Sequence, residues 1–460
     1  MDFEYSVMSV LSCILSLILG ALTAAALSGS WHGKLNLPAG SLTITLNFDT
    51  DTDGKTICTM DSPDQGAADI PTKIDYLSAD SVRVSVPAIS MEYSGRVAAD
   101  SICGTFRQGF FSQHVALKPG RPRIVRPQEP KPPYPYMTRE VTFTNPTDST
   151  VLSGTLSIPL SATLGGRGKV PVVVMVTGSG IQNRDEEIMS HKPFLVIADH
   201  LARHGIASLR YDDRGYGNPD STVSEATTLT FKSDAEAALN YVRSLGEFGR
   251  AGVLGHSEGG LIAYVIAAGG GADFIVSLAG PAQSGTEVLL YQNRKLLAPA
   301  LTPDVLDKYI EALAETFRYV STAEKPISQT EAENFVSAIG AASTLPDGLK
   351  ANLQAILTSV TPWMRQFLSL DPAPYIKDIT VPVCAAIGAL DMQVPGEATV
   401  RVLNERQGIH PTDAIRLYPG LNHMLQHAST GMPDEYGRIS ETISEDVLRD
   451  ISAFIQSVSR

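Results

Sequence analysis

Apolar and polar positions follow two different periods along this chain. From residue 29 to about 117 the period is two. Leu42-Thr-Ile-Thr-Leu-Asn-Phe48 and Ser81-Val-Arg-Val-Ser-Val86 each send alternate side chains to one face, with turn residues between such runs. This predicts a small all-β domain over residues 29–117. Asp49-Thr-Asp-Thr-Asp-Gly54 imitates the opening of a calcium loop. Met60 stands where that loop needs a glutamate, and strands flank it, so a plain hairpin turn is expected. Residues 118–137 are too rich in proline for helix or central strand, which predicts a stiff extended linker.

From residue 138 the pattern changes. A hairpin is expected near 140–143 and 152–158. Continuous apolar runs at 170–176, 206–211, 251–254, 274–278, 381–388 and 414–418 read as buried strands, with helical periodicity at 193–204 and 233–245 between them. Such alternation predicts an α/β domain over 138–460, a mostly parallel sheet with helices on both faces. About a hundred residues separate the strands at 274 and 381, far more than one connecting helix needs. Their helical periodicity predicts a cap at about 283–370. Leu289, Leu290, Tyr291, Trp363, Met364 and Phe367 are candidates to line its underside or to pack within it.

The chemistry concentrates at strand ends. Gly255-His256-Ser257-Glu258-Gly259 follows one apolar run and precedes a helix-compatible one. A G-x-S-x-G in strand–turn–helix context is a nucleophile elbow, in which small residues tolerate a crowded, strained turn. A serine hydroxyl needs an imidazole as base, and the imidazole needs an acceptor that fixes its tautomer. Asp391 closes the 381–388 strand and His423 follows the 414–418 strand, both at carboxyl ends, in the order Ser257, Asp391, His423. His410, Asp371, Asp378 and Asp413 fall at the opposite strand ends. His427 reads as a surface or supporting residue and His256 as packing. Arg214 and its carboxylate neighbours read as a structural network. The oxyanion hole is expected from the amides of Glu258 and of Ser179, which follows the 170–176 strand, with Gly180 next.

These segments resemble the α/β-hydrolase superfamily, and within it bacterial esterases and serine-aminopeptidase-like hydrolases that carry a small β-rich domain ahead of the catalytic one. The resemblance rests on Val176-Thr-Gly-Ser-Gly-Ile-Gln-Asn-Arg-Asp-Glu-Glu187, His191-Lys-Pro-Phe194, Arg210-Tyr-Asp-Asp-Arg-Gly215, the elbow, and Pro419-Gly-Leu-Asn-His423. It covers roughly residues 30–460 and implies hydrolysis of a small-molecule carboxylic ester through an acyl-enzyme. Two rivals stand beside that expectation. Asp185-Glu186-Glu187 would bind a substrate ammonium group in a serine exopeptidase, or form a solvated loop. A catalytically degenerate binding protein is the other, though it would be marked by a missing triad member.

Composition narrows the rest. With 43% apolar and 18% charged residues the chain is ordinary for a globular protein, and its net charge of −13 argues against nucleic acid as partner. No H-E-x-x-H, C-x-x-C or G-x-x-x-x-G-K occurs, so neither metal nor cofactor is expected. Residues 7–27 are apolar or small and include Ala24-Ala-Ala26, which predicts a signal peptide over 1–26 and a periplasmic or secreted protein. The acidic start, Met-Asp-Phe-Glu, departs from that pattern and leaves Met8 as a rival start, or an uncleaved membrane anchor, as alternatives. An oxidising compartment would permit a Cys58–Cys103 bridge, although two cysteines of one small domain often pack apart. Cys13 belongs to the leader, and Cys384 reads as a buried small hydrophobe.

Overall fold

The computed structural model describes residues 27–37, 40–65, 67–98, 100–109, 111–122, 125–163, 169–217 and 221–459. The leader and Cys13 lie outside them. The chain divides into two compact units, residues 1–125 and 126–460. No helix among the described residues is long and apolar enough to cross a membrane.

In the first unit, eight strands run as successive antiparallel neighbours: β1 (Gly29–Leu37), β2 (Gly40–Thr50), β3 (Thr56–Ser62), β4 (Ala67–Leu77), β5 (Ser81–Val86), β6 (Met91–Val97), β7 (Ile102–Gln108) and β8 (Phe111–Pro119). β8 returns to pair with β1, Trp31 opposite Pro119, and the sheet closes into a barrel. Closure removes both free edges, which a short sheet would otherwise expose to other chains. The period-two pattern explains the interior. Val82, Val84 and Val86 point inward and are buried, while Arg83 between them is exposed. The buried Tyr93 hydroxyl donates to the carbonyls of Ile102 and Val115, so that group is not stranded inside. Asp51 accepts from the amides of Asp53 and Lys55, which makes 51–55 the expected hairpin turn. Cys58 and Cys103 are unbridged: Cys58 packs inside and Cys103 faces out.

The second unit holds a mixed eight-stranded sheet. Its strands are β9 (Met137–Thr144), β10 (Val151–Ile158), β11 (Val172–Val176), β12 (Ala207–Tyr211), β13 (Ala251–His256), β14 (Ile275–Leu278), β15 (Val383–Gly388) and β16 (Ala414–Tyr418). The order is β9-β10-β12-β11-β13-β14-β15-β16, antiparallel through β10 and parallel from β12 onward. The central strands are buried on both faces, which is why they read as unbroken apolar runs. The helices Thr228–Ser244, Glu258–Ala268 and Gly396–Asn404 cover one face, and Pro193–Arg203 and Glu445–Val458 the other. This is the α/β-hydrolase fold, preceded by an all-β barrel.

Between β14 and β15 lie the helices Gly285–Leu297, Pro303–Thr322, Gln329–Ala338, Asp347–Thr358 and Pro362–Ser369. They enclose a core of their own around Leu313, Phe317, Leu353 and Leu357. Capping boxes at Ser284/Glu287 and Ser328/Glu331 start two of them.

Two boundaries differ from expectation. The helix expected from 233 starts at Thr228, because the Thr227 and Thr230 hydroxyls form a reciprocal cap in what reads as a polar loop. Part of the proline-rich stretch is not a free spacer. Arg126 is buried and donates to the carbonyls of Met189, Ser190, Gly437 and Ile439. Gln128 donates to the Ile443 carbonyl and accepts from the Thr442 amide. Residues 126–136 are therefore part of the second unit.

Candidate active site

Ser257 joins β13 to the helix Glu258–Ala268 with φ 52° and ψ −119°, outside the ordinary range of a residue with a side chain. Two close approaches fix that turn. A Cβ on Gly255 would sit 2.0 Å from the Gly259 carbonyl oxygen, and one on Gly259 would sit 2.1 Å from that of Val176. Both positions must be glycine, and the motif spacing follows from that. The Ser257 amide donates to Leu278 O at 2.8 Å, which pins the turn to β14. In Gly255–Gly259 only Ser257 escapes full burial.

Asp391 lies in the turn after β15. Its Oδ1 accepts from the amides of Gln393 (2.7 Å) and Val394 (2.9 Å), leaving Oδ2 to accept from His423 Nδ1 at 2.8 Å. Both side chains are buried. Donation from Nδ1 leaves Nε2 as the nitrogen able to take a proton. The loop carrying His423 is held by Asn422 and Gln426, which bond through both backbone and side chains.

The loop after β11 supplies the opposite wall. The Gly178 amide donates to Glu186 Oε1 at 2.8 Å and is thereby used. Among the described residues, the amides of Ser179 and Glu258 donate to no protein acceptor. The Ser179 hydroxyl donates to Glu258 Oε2 at 2.6 Å. Glu258 Oε1 accepts from Thr228 Oγ1 (2.7 Å) and from Trp363 Nε1 (2.9 Å). Burial raises the Glu258 pKa, against the pull of those donors.

Ser257, His423, Ser179 and Glu258 all line one cavity of about 520 Å³, with Asp391 behind His423. Its remaining lining is mainly apolar or amide: Met189, Leu289, Phe367, Val394, Gln292 and Gln393 among others. Of the cap candidates, Leu289, Trp363 and Phe367 reach it. Leu290 and Met364 pack within the cap, and the Tyr291 hydroxyl donates to Asp391 O at 2.9 Å.

His427 is exposed and pairs with Glu441 at 2.9 Å. His410 sits beside Thr412 and Asp413 at the far strand ends, and Asp378 is exposed there. Cys384 is buried in β15, which pushes its thiol up to about 12. Arg214 is the expected network, bonded to buried Asp234 and to Asp148.

Two expectations change. Asp185-Glu186-Glu187 is a solvated loop only in part: Glu187 is exposed, but Glu186 is fully buried and Asp185 pairs with buried Arg210, in a segment with left-handed conformations at Glu186, Met189 and Ser190. His256 does more than pack. Its Nε2 donates to the His423 carbonyl at 3.1 Å and its Nδ1 faces Glu186 Oε1 at 2.9 Å. Each ring nitrogen thus has an acceptor within hydrogen-bond reach. Burial alone would lower its pKa, but the Glu186 charge outweighs that and raises it. Glu186 and His256 thus join the Ser179 loop to the His423 loop. Seventy positions separate them, so no local motif marks the pair.

Comparison with known proteins follows the same lines. Residues 190–429 match the profile of the family described as serine aminopeptidase, S33. Esterase EstD of Thermotoga maritima is 28% identical over 309 residues, which span 65% of this chain and 65% of that protein. Solved structures with a weaker likeness include Est1E from Butyrivibrio proteoclasticus, 14% identical, covering 69% of this chain and 98% of that one with a TM-score of 0.39. The Pyrococcus furiosus esterase Pf2001 is 15% identical, covering 71% and 94%, also with a TM-score of 0.39. The family profile spans more than half of the 460 residues, and the chain belongs to the serine aminopeptidase S33 family of α/β-hydrolases.

Proposed function

We propose that this protein hydrolyses uncharged carboxylic esters through an acyl-enzyme on Ser257. The observation that carries the reading is the cavity: an elbow serine and a carboxylate-oriented imidazole share it, and its one lining carboxyl, Glu258, has both oxygens occupied by donors. An aminopeptidase needs a free acidic group beside the substrate ammonium; of the nearby acidic run Glu186 is buried, Asp185 is paired with Arg210, and the exposed Glu187 is not among the residues lining the cavity. In the proposed cycle His423 Nε2 takes the Ser257 proton as the oxygen attacks the ester carbonyl. Asp391 holds the resulting imidazolium, and the Ser179 and Glu258 amides stabilise the oxyanion. His423 then protonates the leaving alcohol, and water repeats the sequence. The apolar leader supports export, which cleavage near Ala26, read by intact mass of the native protein, would establish.

The test is hydrolysis of p-nitrophenyl acetate, butyrate and octanoate beside aminoacyl p-nitroanilides, with Ser257→Ala as control. Esters should turn over and the variant should lose on the order of a thousandfold or more in kcat. Turnover of the anilides alone would assign an exopeptidase. Equal activity in both proteins would remove Ser257 from the mechanism.

A further inference from the structure

Glu258 follows the elbow serine, and its carboxyl is buried without an ion-pair partner among the described residues. What surrounds it instead is a set of neutral donors from three separate elements. Ser179 Oγ (2.6 Å) comes from the loop after β11, and Thr228 Oγ1 (2.7 Å) from the first turn of the helix Thr228–Ser244. Trp363 Nε1, at 2.9 and 3.1 Å from the two oxygens, comes from the cap helix Pro362–Ser369. A second polar tie lies alongside, where Gln366 Oε1 of the same cap helix accepts from the Leu229 amide at 2.9 Å.

Trp363 has two functional sides. Its indole N–H meets Glu258, and its ring stacks on Phe367 with centroids 5.2 Å apart, both rings lining the cavity. Ser179 also has two sides: its hydroxyl donates to Glu258, its amide has no protein acceptor among the described residues, and the residue lines the same cavity as Ser257. A single carboxyl therefore links the apolar wall that an acyl group would touch to both amides proposed for the oxyanion hole.

We propose that Glu258 is a positioning residue that couples the cap to the oxyanion hole: an acyl group resting on Trp363 and Phe367 seats the cap helix, and the Trp363–Glu258–Ser179 bonds then fix the two amides. This rests on the reading of Ser257 as nucleophile. The device gives specificity in kcat rather than in binding. Esters whose acyl chain reaches the indole gain most from it, and acetate gains less. Misaligned amides stabilise the transition state less, whereas substrate binding is little changed.

Trp363→Phe keeps an aromatic wall and deletes the N–H. It should lower kcat for butyrate and octanoate by on the order of tenfold or more, with KM changed by less than about threefold, and lower acetate turnover by a smaller factor. Glu258→Gln retains an acceptor and should restore most of the rate, and Glu258→Ala should not. The chain has two tryptophans, and Trp31 lies in the barrel. Release of Trp363 in Glu258→Ala therefore reads directly as a red shift in emission, independent of catalysis, while Glu258→Gln stays at the native wavelength. A change confined to KM in Trp363→Phe, or native emission in Glu258→Ala, overturns the coupling. Failure of a fluorophosphonate to label Ser257 in the native protein overturns the reading beneath it, and the emission result stands apart from that outcome.

Discussion

The cap encloses Leu306, Leu313, Phe317, Leu353 and Leu357, and Thr316 is its one fully buried polar side chain among the described residues, satisfied by the Ala312 carbonyl. A short distance along the chain, the carboxyl ends of the strands bury Glu186, His256, Glu258, Asp391 and His423 close together. An apolar core tolerates substitutions that keep volume, because dispersion and burial are not directional. Buried polar groups have no such latitude. Each needs a partner at a fixed angle, and losing one strands the other. The cap is thus built for shape and the strand edge for orientation. Within one fold, the region rich in buried charge is the one where chemistry is expected.

Three substitutions test the contrast. The largest effect should come from Asp391→Asn, which preserves volume and leaves the His423 tautomer unspecified. A fall of about 10⁴ in kcat is expected with a native-like melting temperature. A loss under tenfold would mean another group orients the imidazole. Leu353→Ala in the cap should do the reverse. It should cost about 2–5 kcal/mol in chemical denaturation of the cap while leaving acetate hydrolysis by the folded protein intact. Equal losses of stability and acetate turnover would show that cap and edge are not separable.

The smallest effect concerns pH. His191 is buried, with Nε2 donating to the Tyr436 carbonyl and Nδ1 beside Thr442 Oγ1, and burial lowers its pKa from 6.5 to about 4. The unfolded chain takes up a proton between those values and the folded chain does not. Stability is therefore fully present above pH 6.5 and declines as pH falls toward 4. Thermal melts from pH 7 to 4 should slope less in His191→Asn. Parallel slopes in the two proteins would assign the acid sensitivity to other groups.

Much of this was legible in the sequence, and what was not has a physical reason. The elbow shows because its constraint is steric and local, with Gly255 and Gly259 marking contacts a Cβ would violate. Asp391 and His423 show because each follows an apolar strand. Glu186 and His256 do not, since a carboxylate far along the chain looks solvated until the fold turns it inward. Arg126 was hidden more thoroughly: its acceptors are backbone carbonyls, which every residue possesses. The Thr227 cap was legible in principle, as a threonine pair spaced by three.

Under the mechanism proposed above, the backbone at Ser257 also limits which nucleophiles this site can host. At φ 52° a β-branched side chain is a steric outlier, so threonine is shut out even though it carries the same hydroxyl. Cysteine has serine's unbranched shape and fits the same torsion. Descendants of this chain that change their nucleophile have one neighbouring option, a thiolate chemistry, and reach it through a single atom.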